Sequence, residues 1–292
     1  MFTPDQYQLL DFGDGRRLER FAGITVDRPC PAAEGIAAAD PRAWQTADAR
    51  FERGDGEEGQ WTCRRELPEP WTIIAHGSMK LLLKPTIFGH LGVFPEQAEN
   101  WDWLEQVIQA AGRPLKILSL FAYTGSSTLA AVAAGAEVVH VDAARNTTAW
   151  ARRNAELSGM AAAPMRWISE DALKFVKREL RRGNHYDAVI LDPPSYGHGP
   201  HGEVWRLSKH LPRLLALCGE LTAGRRQFML LTCHTPGFDP TRLEDMMSAV
   251  LGHGDPGVVT ARKLSLTAAT GRQLPCGVVV RWTQSPLPLG EG

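Results

Sequence analysis

Residues 115 to 142 form the segment that most limits the folds available to this chain. An apolar run at residues 115–120 leads into a short loop, a helical stretch and a second apolar run at residues 138–141, which Asp142 closes. A strand, a tight loop, a helix and a second strand in this order are typical of an open α/β sheet. The segment therefore predicts an α/β fold whose first two strands flank a ligand-binding loop.

The loop and the acid together indicate what kind of ligand this sheet binds. An acid at the end of the second strand, about 20 residues past the loop, lies where such sheets bind a ribose diol. The loop at residues 121–125 has a single glycine, whereas dinucleotide binders use three glycines to approach a pyrophosphate. A ligand with a ribose but no phosphate fits better. S-adenosylmethionine is the common ligand of this kind, so the segment favours methyl transfer.

Length and composition limit the class of protein. The chain has 292 residues, of which 43% are apolar, enough for one large α/β domain and a smaller lobe. No stretch approaches the roughly 18 uninterrupted apolar residues of a membrane span, and the first residues lack a signal-peptide pattern. Five scattered cysteines form neither a disulfide framework nor a metal knuckle. We expect a cytoplasmic protein with no membrane partner and no metal.

The charge balance bears on nucleic-acid binding. The net charge is -1, from 32 basic and 33 acidic residues, which argues against tight non-specific binding of nucleic acid. Basic residues nevertheless cluster at residues 177–182 and 225–226. These clusters are either solvated helix ends and turns or a local patch for one RNA strand.

Residues 1–94 have a different pattern from the rest of the chain. Short apolar segments are separated by Gly, Pro and Asp turn signals, which predicts a small β-rich lobe. Asp14-Gly15 and Asp55-Gly56 are expected hairpin turns. Pro95 then opens a helix, because proline suits the first helical position. Its apolar residues, Trp101 among them, recur at helical spacing and are expected to pack in the core.

From residue 115 onward, predicted strands alternate with helices. This alternation predicts a doubly wound, mostly parallel, seven-stranded Rossmann-like sheet. We expect a β-rich N-terminal lobe at 1–94, an α/β domain at 95–284 and a flexible tail at 285–292. The predicted strands are residues 115–120, 137–141, 165–168, 186–191, 227–232, 259–265 and 276–282.

Two further acids follow predicted strands. Asp171 stands at the start of a helix, where it can cap the helix, accept a hydrogen bond from an adenine amino group, or do both. Asp192 ends an apolar strand and is followed by Pro193 and Pro194. Proline fixes its own backbone and disfavours helix in the residue before it. The result is a rigid turn that presents a carboxylate and backbone carbonyls to a planar nitrogen group.

Two segments after Asp192 bear on the acceptor. The glycine-rich residues 197–202 are expected to form a mobile flap, and their two histidines lack the spacing and the third ligand of a metal site. Cys233 ends the fifth strand, which neighbours the fourth strand in the usual order for this fold. A thiolate there would be a nucleophile within reach of the substrate of Asp192, with His234 as a source of positive charge. The alternative is a buried core cysteine.

The motifs as a set resemble those of class I S-adenosylmethionine-dependent methyltransferases. The matching segments are Phe121-Ala122-Tyr123-Thr124-Gly125, Val141-Asp142, Glu170-Asp171-Ala172 and Leu191-Asp192-Pro193-Pro194-Ser195. They are most similar to the bacterial family that modifies large-subunit ribosomal RNA. Residues 88–97 resemble the element that closes over the cofactor in that family.

The resemblance implies roles for individual residues. The loop residues would hold the methionine part of S-adenosylmethionine, Asp142 the ribose and Asp171 the adenine. Gln97 would add a contact from the closing element, and Ala143 would be a further cofactor-binding residue. Asp192 and Pro193 would border both cofactor and acceptor. Some family members methylate carbon 5 of cytosine, with a cysteine at the position of Cys233 adding to carbon 6. Related enzymes methylate guanine nitrogen without a cysteine, so both target atoms remain open.

Three functions follow from these observations. The first is methylation of a base in RNA, most specifically ribosomal RNA, at cytosine carbon 5 or a ring nitrogen. The second is methylation of a small molecule or protein, which the near-neutral charge favours. The third is a non-catalytic RNA-binding assembly protein that keeps the fold, and the acids at 142, 171 and 192 argue against it.

Overall fold

The computed structural model describes residues 2–56, 58–199, 202–251 and 257–284. The chain divides into two compact units. The first comprises Met1–Glu99, Glu156–Gly159 and Ser265–Cys276, and the second comprises Asn100–Ala155, Met160–Leu264 and Gly277–Gly292. The predicted tail, residues 285–292, lies outside the described residues.

The first unit is built on β-strands, as the sequence predicts. Its five-stranded sheet has the order β1-β2-β3-β4-β5, and β6 pairs with β7 in a separate hairpin. A 3-10 turn at Pro95–Gln97 leads into α2. Its elements are β1 (Tyr7–Gly13), β2 (Arg16–Phe21), β3 (Ile24–Pro29), α1 (Pro41–Trp44), β4 (Ala49–Arg53), β5 (Gly59–Cys63), β6 (Thr72–Ala75) and β7 (Met79–Leu82). The next helix, α2 (Ala98–Ala110), belongs to the second unit from Asn100 onward.

The first predicted hairpin turn is confirmed. Asp14 and Gly15 join β1 to β2 with φ of 52° and 71°. Positive φ at both central residues matches the twist of the two flanking strands, which explains the Asp-Gly pair. The sheet also buries Glu19, which Arg28 approaches at 2.6 Å, so this small lobe contains a paired charge in its interior.

Most of the predicted doubly wound sheet lies in the second unit. The elements after α2 are β8 (Lys116–Leu120), α3 (Ser126–Ala133), β9 (Glu137–Asp142), α4 (Arg145–Leu157), β10 (Met165–Ser169), α5 (Ala172–Arg181), β11 (Ala188–Leu191), β12 (Tyr196–His198), β13 (Val204–Arg206), α6 (Leu207–Thr222), β14 (Phe228–Cys233), α7 (Pro240–Leu251), β15 (Val258–Thr267) and β16 (Gln273–Thr283).

The sheet of seven strands has the order β10-β9-β8-β11-β14-β16-β15. The pairs among the first five strands are parallel, and β16 is antiparallel to β14. The chain runs outward from β8 to β10 and then returns to the other side of β8 at β11. The strand order therefore reverses beside β8, and open α/β sheets bind ligands outside the carboxyl ends of the strands at such a point.

Apolar burial explains why these residues form the sheet. Every residue of β11 and of β14 is buried, as expected for strands covered by helices on both faces. In α2, Trp101 and Leu104 are fully buried and Ile108 is 2% exposed, so the predicted core role of this helical stripe is confirmed. Within the described residues, no helix combines the length and apolarity needed to span a bilayer.

Candidate cofactor and acceptor site

The loop between β8 and α3 adopts an unusual backbone. Phe121 and Tyr123 have φ of 54° and 49°, and Gly125 has φ of 87°. Non-glycine residues rarely adopt positive φ, and such conformations concentrate at ligand clamps. The surrounding structure holds this one in place: the Ala122 amide donates to the Val141 carbonyl at 3.1 Å.

Asp142 is fixed by the backbone on either side of it. Its Oδ2 accepts from the Tyr123 amide at 2.9 Å, and its Oδ1 accepts from the Ala144 amide at 2.9 Å and from Thr147 Oγ1 at 2.8 Å. A carboxylate offers about four acceptor positions, so one position remains for a hydroxyl. An oriented acid with spare acceptor capacity, next to a loop with one glycine, suits a ribose without a pyrophosphate.

Glycine at position 125 is favoured by space as well as by φ. A Cβ built on Gly125 would lie 3.0 Å from the Ala151 Cβ of α4, which is closer than ordinary van der Waals contact, so the close approach of the loop to α4 disfavours a side chain. Asn154, also on α4, donates from Nδ2 to the Thr124 carbonyl at 2.9 Å. The loop is thus anchored to α4 as well as to Asp142.

His140 lies beneath this loop in the core. It is fully buried, and its Nδ1 is 3.0 Å from Thr128 Oγ1. Burial, together with the charge of Arg152, lowers the pKa of His140 to about 3. The imidazole is therefore neutral at physiological pH. Sequence reasoning missed this residue, although a histidine inside the apolar run 138–141 is a visible signal.

Asp171 and Gln97 occupy different settings. Asp171 is the N-cap of α5, where its Oδ1 accepts from the Lys174 amide at 2.8 Å, so the predicted cap is confirmed. Its contact with adenine stays a prediction. Gln97 belongs to the first unit, where it ends the 3-10 turn and is buried. Ala143 directly follows Asp142 and is half-buried.

Asp192 follows β11, and residues on and just after β14, the neighbouring strand in the sheet, hold its carboxylate. Thr232 at the end of β14 donates to Asp192 Oδ1, and His234 Nε2 lies 3.3 Å from the same oxygen. Burial raises the pKa of Asp192, but the hydrogen bonds from His234 and Thr232 outweigh it and leave this pKa below its ordinary value. Asp192 is therefore a carboxylate at physiological pH. Sequence reasoning missed Thr232, because nothing in its local pattern links it to Asp192.

The turn after Asp192 is tied to its surroundings on both sides. Ser195 Oγ lies 2.7 Å from Thr235 Oγ1, and Trp205 Nε1 donates to the Pro194 carbonyl at 2.7 Å. The Trp205 ring packs against Phe121, with 4.8 Å between ring centroids. These contacts bring the loop of residues 121–125, the Asp192 turn and β13 together at the carboxyl ends of β8 and β11.

The absence of a side chain at Gly277 leaves room for the His234 ring. A Cβ on Gly277 would lie 2.6 Å from the Cys233 carbonyl oxygen and 2.9 Å from His234 Nδ1. The φ of Gly277 is 137°, and glycine tolerates both the angle and the close approach. This residue lies more than 40 positions from His234 in sequence, so sequence reasoning had no signal for it.

Cys233 is on the same strand as Thr232 but faces the other way. Alternate strand residues point to opposite faces, and Cys233 packs in the core with Phe238 and Val278, 1% exposed. Burial raises the pKa of the Cys233 thiol. The groups that hydrogen-bond Asp192 are therefore Thr232 and His234, and Cys233 lies in an environment that favours the protonated thiol.

The glycine-rich segment forms part of a hairpin. Tyr196–His198 pairs antiparallel with Val204–Arg206, whereas residues 200 and 201 of the predicted flap lie outside the described part of the chain. No cluster of three or more His, Cys, Asp or Glu side chains suited to a metal occurs among the described residues.

Comparison with known proteins identifies relatives of this chain. A family model described as "S-adenosylmethionine-dependent methyltransferase" matches residues 36–234. A SAM-dependent methyltransferase from Agrobacterium tumefaciens has a crystal structure that superposes with a TM-score of 0.90 at 39% identity. That match covers 96% of this chain and 91% of the Agrobacterium chain.

Curated relatives carry the name of a ribosomal RNA enzyme. Ribosomal RNA large subunit methyltransferase I from Aeromonas salmonicida is 26% identical over 52% of this chain and 38% of its own length. Ribosomal RNA large subunit methyltransferase K/L from Syntrophotalea carbinolica is 37% identical over 31% of this chain and 12% of its own length. The matches thus span well under half of these relatives. The family model, which covers more than half of the chain, and the Agrobacterium structure show that the chain belongs to the S-adenosylmethionine-dependent methyltransferases.

Proposed function

We propose that this protein transfers a methyl group from S-adenosylmethionine to a nitrogen of a base in RNA, with large-subunit ribosomal RNA as the substrate and the cytoplasm as its location. The names of the curated relatives support RNA as the substrate class. The setting of Asp192 carries the choice of nitrogen. An ionised, oriented carboxylate beside a rigid turn matches a planar group that presents an N–H.

The cofactor half of the proposed site is the loop of residues 121–125 with Asp142. When bound, S-adenosylmethionine supplies an electrophilic methyl group on a positively charged sulfur. Asp142 would accept from a ribose hydroxyl through its remaining acceptor position, and Asp171 from the adenine amino group. Ala143, Pro193 and Gln97 complete the proposed cofactor contacts.

Asp192 acts on the acceptor in this proposal. Its carboxylate accepts a hydrogen bond from the acceptor N–H and so aligns the nitrogen lone pair with the methyl group. As the nitrogen–carbon bond forms, the sulfur–carbon bond breaks, and the nitrogen proton passes to Asp192 and from there to solvent. Thr232 and His234 fix the orientation of the carboxylate and keep it ionised, and this makes them positioning residues.

The nucleophilic role predicted for Cys233 is the alternative. Covalent attack on a pyrimidine needs a thiolate, and catalytic cysteines have a lowered pKa near positive charge. Cys233 is 1% exposed and its pKa is raised by burial. These properties support a packing role for Cys233 and, with it, a nitrogen rather than carbon 5 as the target.

The decisive experiment is transfer of labelled methyl from S-adenosylmethionine to total RNA taken from cells that lack this protein. Wild type and Cys233→Ala are assayed in parallel, and the labelled nucleosides are identified. We expect an N-methylated nucleoside, formed by both proteins at similar rates.

Other outcomes contradict parts of the proposal. Label in 5-methylcytidine that disappears in Cys233→Ala would overturn the nitrogen target and establish the covalent route. Cofactor binding without label in any RNA would overturn the RNA substrate and direct the search to small molecules and proteins, or to a non-catalytic role if those also remain unlabelled.

A further inference from the structure

A groove of about 520 Å³ lies between α5, α6 and β13. Its volume is within the range of roughly 300–1,000 Å³ of small-molecule pockets. Apolar side chains from all three elements line it, together with cations on one face of α5 and the carboxylates of Asp171 and Glu203. Glu203 lies 3.9 Å from Lys174, so that cation is paired. The residues that matter here are Lys174, Lys177, Leu180, Arg181, Val204 and Leu217.

The cations of α5 differ in how they are paired. Arg178 pairs with Glu170, and Arg182 lies 3.5 Å from Glu179. Lys177 and Arg181, which line the groove, form no ion pair with any described residue. Unpaired cations beside apolar surface are suited to a ligand that combines an anionic and an apolar part, because each part finds its complement.

Trp205 connects the groove to the turn that follows Asp192. This residue lines the groove, and its Nε1 donates to the carbonyl of Pro194, two residues after Asp192. Asp171, the N-cap of α5, also lines the groove. The groove and the turn after Asp192 therefore share the Trp205 side chain.

We propose that the groove binds the nucleotide next to the target base of a single-stranded RNA segment. Its phosphate contacts Lys177 and Arg181, and its base lies on Leu180, Leu217 and Val204. Val204 is 43% exposed, so apolar surface is available for such a contact. Proteins that bind single-stranded nucleic acid combine a positively charged groove for the backbone with side chains that cover the bases. The inference rests on the proposed RNA substrate.

The test measures RNA binding separately from methyl transfer. A fluorescent single-stranded oligonucleotide carrying the methylated site is titrated with wild type and with Lys177→Gln/Arg181→Gln at several salt concentrations. The matched control is Lys116→Gln/Arg166→Gln, which removes the same two charges from a groove at the amino ends of β8 and β10. Cofactor affinity and thermal stability are recorded for all three proteins.

We expect the α5 variant to bind RNA about tenfold more weakly, with a salt slope flatter by roughly 0.7, since the two cations contact one phosphate and each single-strand phosphate contact contributes about 0.7. The α5 variant should bind the cofactor as tightly as wild type does. The control variant Lys116→Gln/Arg166→Gln should bind RNA as tightly as wild type does. If wild type methylates RNA and the α5 variant binds RNA as tightly as wild type does, the proposed role of the groove is wrong and the proposed function stands. Absence of both RNA binding and RNA methylation in wild type would overturn the proposed function and the groove together.

Discussion

Asp142 and Asp192 both end parallel strands at the carboxyl edge of one sheet, yet they are held in different ways. Asp142 accepts from the Tyr123 and Ala144 amides and from Thr147, all within 20 positions of it. Asp192 accepts from Thr232, and His234 lies beside it, both about 40 positions further along the chain. The first acid is organised by its own βαβ unit, and the second by a neighbouring strand.

This difference bears on what each acid can do. Two backbone amides and one nearby hydroxyl hold Asp142, so most of its geometry depends on the local backbone and little on distant side chains. Side chains hold Asp192, so its orientation and its ionisation change with the residues at 232 and 234. We infer that the acceptor half of the site is the half that varies with the substrate, and four experiments test this comparison.

The largest effect is expected at Asp192. Asp192→Asn should lower kcat about 100-fold or more, because a positioned proton acceptor contributes on the order of 10²–10⁴. Cofactor affinity should stay within about threefold of wild type. Steady-state kinetics and cofactor titration give both values, with Asp245→Asn on α7 as an exposed control. A large loss of cofactor affinity would mean that Asp192 also belongs to the cofactor part of the site, and that the cofactor and acceptor parts are not separable.

Asp142 should show the reverse behaviour. Asp142→Ala should weaken cofactor binding at least tenfold, about 1.4 kcal/mol, and leave kcat at saturating cofactor near its wild-type value. Calorimetric titration measures the affinity, and Glu137→Ala at the exposed start of the same strand is the control. Unchanged affinity would remove Asp142 from the cofactor site.

Replacing His234 should lower kcat without changing cofactor affinity, and by less than the replacement of Asp192. Removing a hydrogen bond to a charged group costs about 1.5–3 kcal/mol, so His234→Asn should lower kcat roughly tenfold or more. Since His234 lowers the pKa of Asp192, the acid limb of the kcat profile should move to higher pH in the variant. A profile identical to that of wild type, or an equal loss in the exposed control His185→Asn, would argue against a positioning role.

The smallest effect is expected from His140, beneath the loop of residues 121–125, and it concerns the free energy of unfolding. Its pKa is about 3 in the folded protein and about 6.5 when exposed, so the unfolded chain binds the proton first. Its contribution to stability is complete above about pH 6.5 and declines as the pH falls toward 3, by at most about 1.4 kcal/mol per pH unit. His140→Gln should flatten this decline in denaturant unfolding measured between pH 7 and 4. An unchanged slope would contradict the buried neutral imidazole.

Much of the fold could be predicted because its signals are local. The apolar runs and their alternation with helices predicted all seven strands of the sheet, and Asp14-Gly15 predicted the first hairpin. The carboxyl edge followed as well, since parallel strands bring their ends together. The acids 142 and 192 were found because each directly follows an apolar strand.

The partners of those acids were harder to predict. Thr147 lies five residues from Asp142 and was within reach of sequence reasoning. Thr232 and Gly277 were not, because their roles depend on β14 lying between β11 and β16. Cys233 was placed on the correct strand, but only the register decides that Thr232 turns toward Asp192 while Cys233 packs in the core.

The sequence by itself determined the α/β sheet, the loop with one glycine, the acid that ends β9 and the rigid turn after Asp192, since each rests on residues close together in the chain. The tertiary structure decided which side chains hold Asp192, how deeply Cys233 is buried, and that Lys177 and Arg181 line a groove beside Trp205. These depend on strand order and on which face each side chain takes, and a one-residue shift in register would exchange the two faces.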